Sequence, residues 1–208
     1  MKVVLFCTLL FLFITNSLFA ETVEISSSLR VHIVLPTGWV SNLDPPQFLV
    51  DEMAEHIKHN TEKKQRYPSN EQLQEAARKR LKNNEAFLYN PVSQAFMSID
   101  FSRLGQGDEA PSHKSIKLST RYAGESLSNE EGVTDLTTDN TNIDVLGAWY
   151  AHRFDSSYKH HGKPMAFTGV VGFVSPYWFY FYYTDYLNNK EDRISVEKIL
   201  KSVRIENR

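Results

Sequence analysis

Cysteine is almost absent from this chain: one in 208 residues, at Cys7. Beyond Cys7 there is no disulfide to make, no cysteine nucleophile and no thiolate metal site. Long apolar runs are also missing after residue 20, so no later segment reads as a membrane span. A basic excess is missing too. Lys and Arg number 23 against 25 Asp and Glu, for a formal net charge of −2. Nothing in that balance attracts nucleic acid or an anionic lipid surface. No Asn-x-Ser/Thr acceptor follows the first twenty residues, and no internal repeat or low-complexity run occurs.

What is present begins at the N-terminus. Met1-Lys2 gives one positive charge, Val3 to Ile14 is apolar apart from Cys7 and Thr8, and Ser17-Leu18-Phe19-Ala20 ends on a small residue before Glu21. A charged start, a short apolar core and a small residue at the cut describe a secretory signal peptide over residues 1–20. The alternative is a retained N-terminal anchor, because Leu18 stands where a smaller residue is usual. Cleavage after Ala20 removes the only cysteine and leaves residues 21–208 as one domain of ordinary size, periplasmic or secreted. Membrane contact is expected only if the leading segment is retained.

Periodicity then assigns the elements. Leu29, Val31, Ile33 and Leu35 alternate with Arg30, His32 and Val34, as in a half-buried strand, and Thr22 to Ile25 reads as a shorter one before it. Asp44-Pro45-Pro46 is expected to open a helix with Leu49, Met53 and Ile57 on one face. Ser69-Asn70-Glu71-Gln72 is a capping box for a second helix with the stripe Leu73, Ala76, Ala77 and Leu81. Ala86 to Tyr89 and Ala95 to Phe101 read as strands. Ser115 to Leu127 is ambiguous, since Ile116, Ala123 and Leu127 suit a helix while Thr120 and Gly124 weaken it. Ser128 to Thr141 reads as an exposed acidic loop. Ile143 to Phe154, Met165 to Val174 and Tyr177 to Leu187 read as three antiparallel strands. Val196, Ile199, Leu200 and Val203 form the stripe of a closing helix. The class is α+β, an antiparallel sheet with helices packed on its faces.

The turn Leu35-Pro36-Thr37-Gly38-Trp39, the aromatic strand Tyr177 to Tyr183 and the closing Ile199-Leu200-Lys201-Ser202-Val203-Arg204 resemble the PsbP-like α/β/α sandwich. That fold is used by photosystem II extrinsic proteins and by small exported bacterial proteins such as the DcrB-like group. The chain departs from a compact version at Gln106 to Thr141 and in its long helical region from Asp44 to Leu81. The resemblance implies a binding or accessory module without a shared catalytic motif, and it carries over no functional residue.

Chemistry-bearing residues are sparse. His56 and His59 lie three apart beside Glu52 and Glu55, and are weak candidates for a metal pair without an H-E-x-x-H motif. An exposed helix face accounts for them equally. His160-His161 sits in a polar link, with His152 able to join it if the loop folds back. Gly124-Glu125-Ser126-Leu127-Ser128 misses the nucleophile-elbow pattern at its last position. Asp135 to Asn140 lacks the glycine of an EF-hand loop. The aromatic strand is the remaining candidate. Trp178, Tyr180 and Tyr182 share one face, and Tyr177, Phe179, Phe181 and Tyr183 the other. One face is expected to meet the closing helix. The other either lines a ligand or partner site, where Tyr and Trp bring area and a polar tip, or is covered by the Phe48 to Ile57 helix.

The expectation is therefore a non-enzymatic exported protein, with no cofactor, that binds an unidentified envelope or secreted protein. An immunity protein is one variant of that reading. A small-molecule-binding module is the alternative, and a metal-dependent hydrolase the more remote one.

Overall fold

The computed structural model describes residues 19–62, 68–185 and 189–207. The apolar run proposed as a signal core lies outside them. Ten strands and four α-helices follow in the order β1 (Phe19–Glu24), β2 (Leu29–Leu35), β3 (Val40–Asn42), α1 (Gln47–Glu62), α2 (Asn70–Leu81), β4 (Ala86–Tyr89), β5 (Phe96–Arg103), α3 (His113–Glu125), β6 (Val133–Asn142), β7 (Tyr150–His160), β8 (Lys163–Val174), β9 (Tyr177–Asp185), α4 (Lys190–Ser202) and β10 (Arg204–Asn207). Among the described residues no helix is long and apolar enough to cross a membrane.

The strands form two antiparallel sheets. One has the order β1-β2-β10, the other β3-β4-β5-β9-β8-β7-β6. Strand β2 alternates buried and half-buried residues along its whole length, as its sequence requires. Its buried residues join Val196, Ile199 and Leu200 of α4, and Val203 just past its end, in one core. That core packs on the face of the large sheet carrying Met97, Ile99, Phe101, Phe179, Phe181 and Tyr183. The closing helix therefore meets one face of the aromatic strand, the one carrying Phe179, Phe181 and Tyr183. On the opposite face, α1 and α2 bury Leu49, Val50, Leu73 and Ala77 against Phe87 and Phe96. Helix α3 lies over β7 on this same face. A Cβ added at its buried Gly124 would stand 2.6 Å from Thr138 Cγ2 and 3.1 Å from Phe154 Cδ2.

Several boundaries differ from the sequence expectation. The capping box is present as read: Ser69 accepts from the Gln72 N–H and the Gln72 side chain accepts from Ser69. Asp44, by contrast, does not cap α1. The first helical bonds run to the Pro46 carbonyl, and the Asp44 N–H donates to Asn42 Oδ1. Ala76 is exposed, outside the buried stripe of α2. The ambiguous segment is the helix α3, capped by Ser112. The stretch expected to be an acidic loop contains strand β6. It lies at the edge of the large sheet, pairs only with β7 and exposes most of both faces. An edge strand of Thr, Asp and Asn needs no apolar alternation, which is why periodicity missed it.

Strand β7 also starts later than expected. Residues 143–149 form a loop whose Gly147 (φ 92°) lies so close to β10 that an added Cβ would stand 1.9 Å from the Ile205 carbonyl oxygen. Within that loop Val145 is buried in the core between the sheets, with Ile143 and Ala148 packed against it, while Leu146 and Trp149 are exposed.

Candidate functional site

Register defines the outer face of the large sheet. Phe87, Ser98, Tyr182, Gly169 and Phe154 form one transverse row, Asp100, Tyr180, Val171 and His152 the next, and Ser102, Trp178, Phe173 and Tyr150 a third. Helices α1 and α2 occupy the β4–β5 side of these rows, and α3 the β7–β8 side. Strand β9 runs between them. Its Trp178, Tyr180 and Tyr182 are half-buried, neither sealed in a core nor free in solvent. The expected cover by the Phe48 to Ile57 helix therefore reaches the β4–β5 flank and leaves the aromatic row partly open.

The three rings form a ladder. Trp178 and Tyr180 lie 6.4 Å apart between centroids with planes 8° from parallel, and Tyr180 and Tyr182 lie 6.0 Å apart at 28°. Tyr182 continues to Phe167 at 5.6 Å. The i, i+2 spacing of one strand face produces this arrangement directly. Along β5 the facing residues go from exposed Ser102 through half-buried Asp100 to buried Ser98, so the floor deepens in that direction. At the deep end is a cavity of about 280 Å³ whose lining includes Ser98, Phe167, Tyr182, Met53, Glu52 and His56.

Two carboxylates complete the trough. Asp100 pairs across the β5–β9 register with Tyr180. Glu85 precedes Ala86, the partner of Ile99, and its N–H donates to the Ile99 carbonyl, which places it beside Asp100. Burial pushes the Asp100 carboxyl above its ordinary range, against a hydrogen bond from the Phe101 backbone. Burial and the charge of Asp100 raise Glu85 likewise. The phenols of Tyr180 and Tyr182 are also raised, first by burial.

A histidine pair stands on the α3 side. His152 is 2% exposed, and its Nε2 lies 2.8 Å from His113 Nε2, so one ring donates and the other accepts. His152 thus joins His113, and not His160 or His161, whose rings lie against each other at the β7–β8 turn. The weak metal candidates are not assembled into a site. His56 borders the cavity, while His59 faces Glu131 at 3.9 Å. Among the described residues no group of three or more His, Cys, Asp or Glu is placed to hold a metal ion. Ser126 follows the end of α3 and donates its hydroxyl to the Ala123 carbonyl, far from the strand-to-helix turn a nucleophile elbow needs. A larger bowl of about 440 Å³ beside the 142–149 loop gathers His113, Asp144 and Lys201 but none of the aromatic ladder.

Trp178, Tyr180 and Tyr182 were legible as a candidate set. Asp100 and Glu85 were not, because an alternating polar residue on a strand reads as solvent-facing. The His113–His152 pair joins residues 39 apart in sequence, and no local pattern announces it.

No family model matches the sequence, and no curated protein matches it. Among solved structures, the chain is similar to the solution structure of cyanobacterial PsbP (CyanoP) from Synechocystis sp. PCC 6803, with a TM-score of 0.48 and 8% sequence identity over 86% of this chain and 94% of that one. That likeness assigns no residue a role.

Proposed function

We propose that the protein is an exported, non-enzymatic binding protein that acts by contact with another envelope or secreted protein through the trough. The observation that carries this reading is the aromatic ladder Trp178, Tyr180 and Tyr182, left half-buried between two helical units. Large rings with polar tips on a partly desolvated floor are the residue types that anchor protein interfaces. The N-terminal charged and apolar run supports export. Photo-crosslinking in the native cell tests it, with benzoylphenylalanine replacing Tyr180 or, as a control, the exposed Tyr122 of α3. A discrete protein adduct specific to position 180 is expected. Equal yields at both positions, or none at 180, overturn the proposal.

A second reading is favoured by the cavity at the deep end of the trough. A small molecule seated there would touch Tyr182, Met53 and Phe167. Mass spectrometry of the protein isolated under native conditions checks this, with a stoichiometric adduct lost in Tyr182→Ala as the expected sign.

A further inference from the structure

Several carboxylates of the protein have a cationic partner. Asp155 and Glu197 share Arg153, Asp135 meets Lys159, and Glu206 meets His32. Asp100 and Glu85 have no Lys, Arg or His within ion-pair distance among the described residues. They are also neighbours, so two like charges share a partly desolvated place beside three aromatic rings. Placing unpaired charge there costs free energy, and a cation arriving from outside removes that cost.

From this juxtaposition, and resting on the binding role proposed above, we infer that the trough receives an arginine side chain of the partner polypeptide. Its guanidinium lies against the Tyr180 and Trp178 rings and donates to Asp100 and Glu85. The chemistry favours arginine over a compact ammonium. The guanidinium is planar, stacks on aromatic faces and offers a fork of donors that two carboxylates can accept. The graded depth from Ser102 to Ser98 admits a side chain from the open end and leaves its backbone outside.

The test titrates the full-length protein, followed by NMR, with three probes: N-acetyl-arginine-N-methylamide, its lysine counterpart and choline. The arginine probe should saturate with shifts confined to the Trp178, Tyr180 and Tyr182 signals, and Asp100→Asn should weaken it by about tenfold, the size of one charge-assisted hydrogen bond. Lysine should bind more weakly. Diffuse, non-saturating shifts, or an Asp100→Asn protein that binds like the parent, overturn the inference. Choline saturating the same signals more tightly than arginine overturns the choice of a polypeptide source. The crosslink at position 180 is scored in the Asp100→Asn background as well. An adduct that forms there undiminished keeps the binding role and removes the arginine.

Discussion

Asp100 and Tyr180 face each other across the β5–β9 register, and the charge of Asp100 adds to burial in raising the cost of ionising the Tyr180 phenol. For Asp100 burial is the main cause of the raised pKa. A carboxyl that holds its proton more tightly when folded favours folding at pH below its unfolded value. That advantage is lost as pH rises through the folded value, so at neutral pH the ionised group costs stability. Asp100→Asn should therefore stabilise the protein at pH 7 by about 0.5 kcal/mol, a figure kept small because the group is only half-buried and solvent screens it. The gain should vanish near pH 3. Thermal melts at the two pH values check this, and a destabilised variant at pH 7 contradicts it. A residue that lowers stability where it stands is more readily understood in a binding trough than in a core.

The His113–His152 contact predicts a loss of stability in mild acid. Burial holds His152 below its ordinary value of 6.5, and the nearby His113 and Lys117 add to this, while a backbone hydrogen bond with Thr141 opposes it. The unfolded chain then binds a proton that the folded chain refuses. The stabilisation is complete above about pH 6.5 and is lost as pH falls through the folded value. Melting temperature should drop between pH 7.5 and 5, and His152→Gln should show a shallower drop. His32 with Glu206 is present in both proteins, so the difference between the profiles isolates His152. Parallel profiles contradict the prediction.

How far the sequence reached depends on how local each signal is. The Ser69–Gln72 box and the alternation of β2 involve residues within a few positions, and both are found where they were read. The central place of Tyr177 to Tyr183 followed from aromatic residues on both faces. Gly124 was misleading in an instructive way. It argued against a helix by propensity, yet Thr138 and Phe154 press on it so closely that the packing requires glycine there. Edge strand β6 and short β10 carry little apolar signal of their own. The site divides along the same line: three rings two residues apart are visible in one dimension, whereas Asp100 enters the trough only through pairing with β9.

Gly169 supports the deep end of the ladder. It pairs with Phe154 on one side and Tyr182 on the other. A Cβ there would fall 2.2 Å from Phe154 Cε1 and 2.9 Å from Tyr182 Cδ1, so one ring or both must move. Gly169→Ala should cost about 1–3 kcal/mol, as overpacking of a tight site does. It should also shift the Tyr182 ring signals. Urea denaturation with NMR of the native state checks both, and an unchanged midpoint shows that the rings yield freely.

Arg153 ties β7 to α4 on the opposite sheet face. Its guanidinium donates to both carboxylate oxygens of Glu197, one at 2.9 Å, and to both of Asp155 at 2.7 Å. Thr168 donates to Asp155 as well, at 2.7 Å. The arginine is 17% exposed and its partners about 40%, so the network lies between a surface pair and a buried one. Arg153→Met should cost about 1–2 kcal/mol, because two adjacent carboxylates lose their shared cation. Glu197→Gln should cost less, since the amide oxygen still accepts and Asp155 keeps its bidentate contact. The double variant should be less destabilised than the sum of the two, with a coupling of at least about 0.5 kcal/mol. Strict additivity in a denaturation cycle would show that Arg153 acts by packing its aliphatic stem and not by charge.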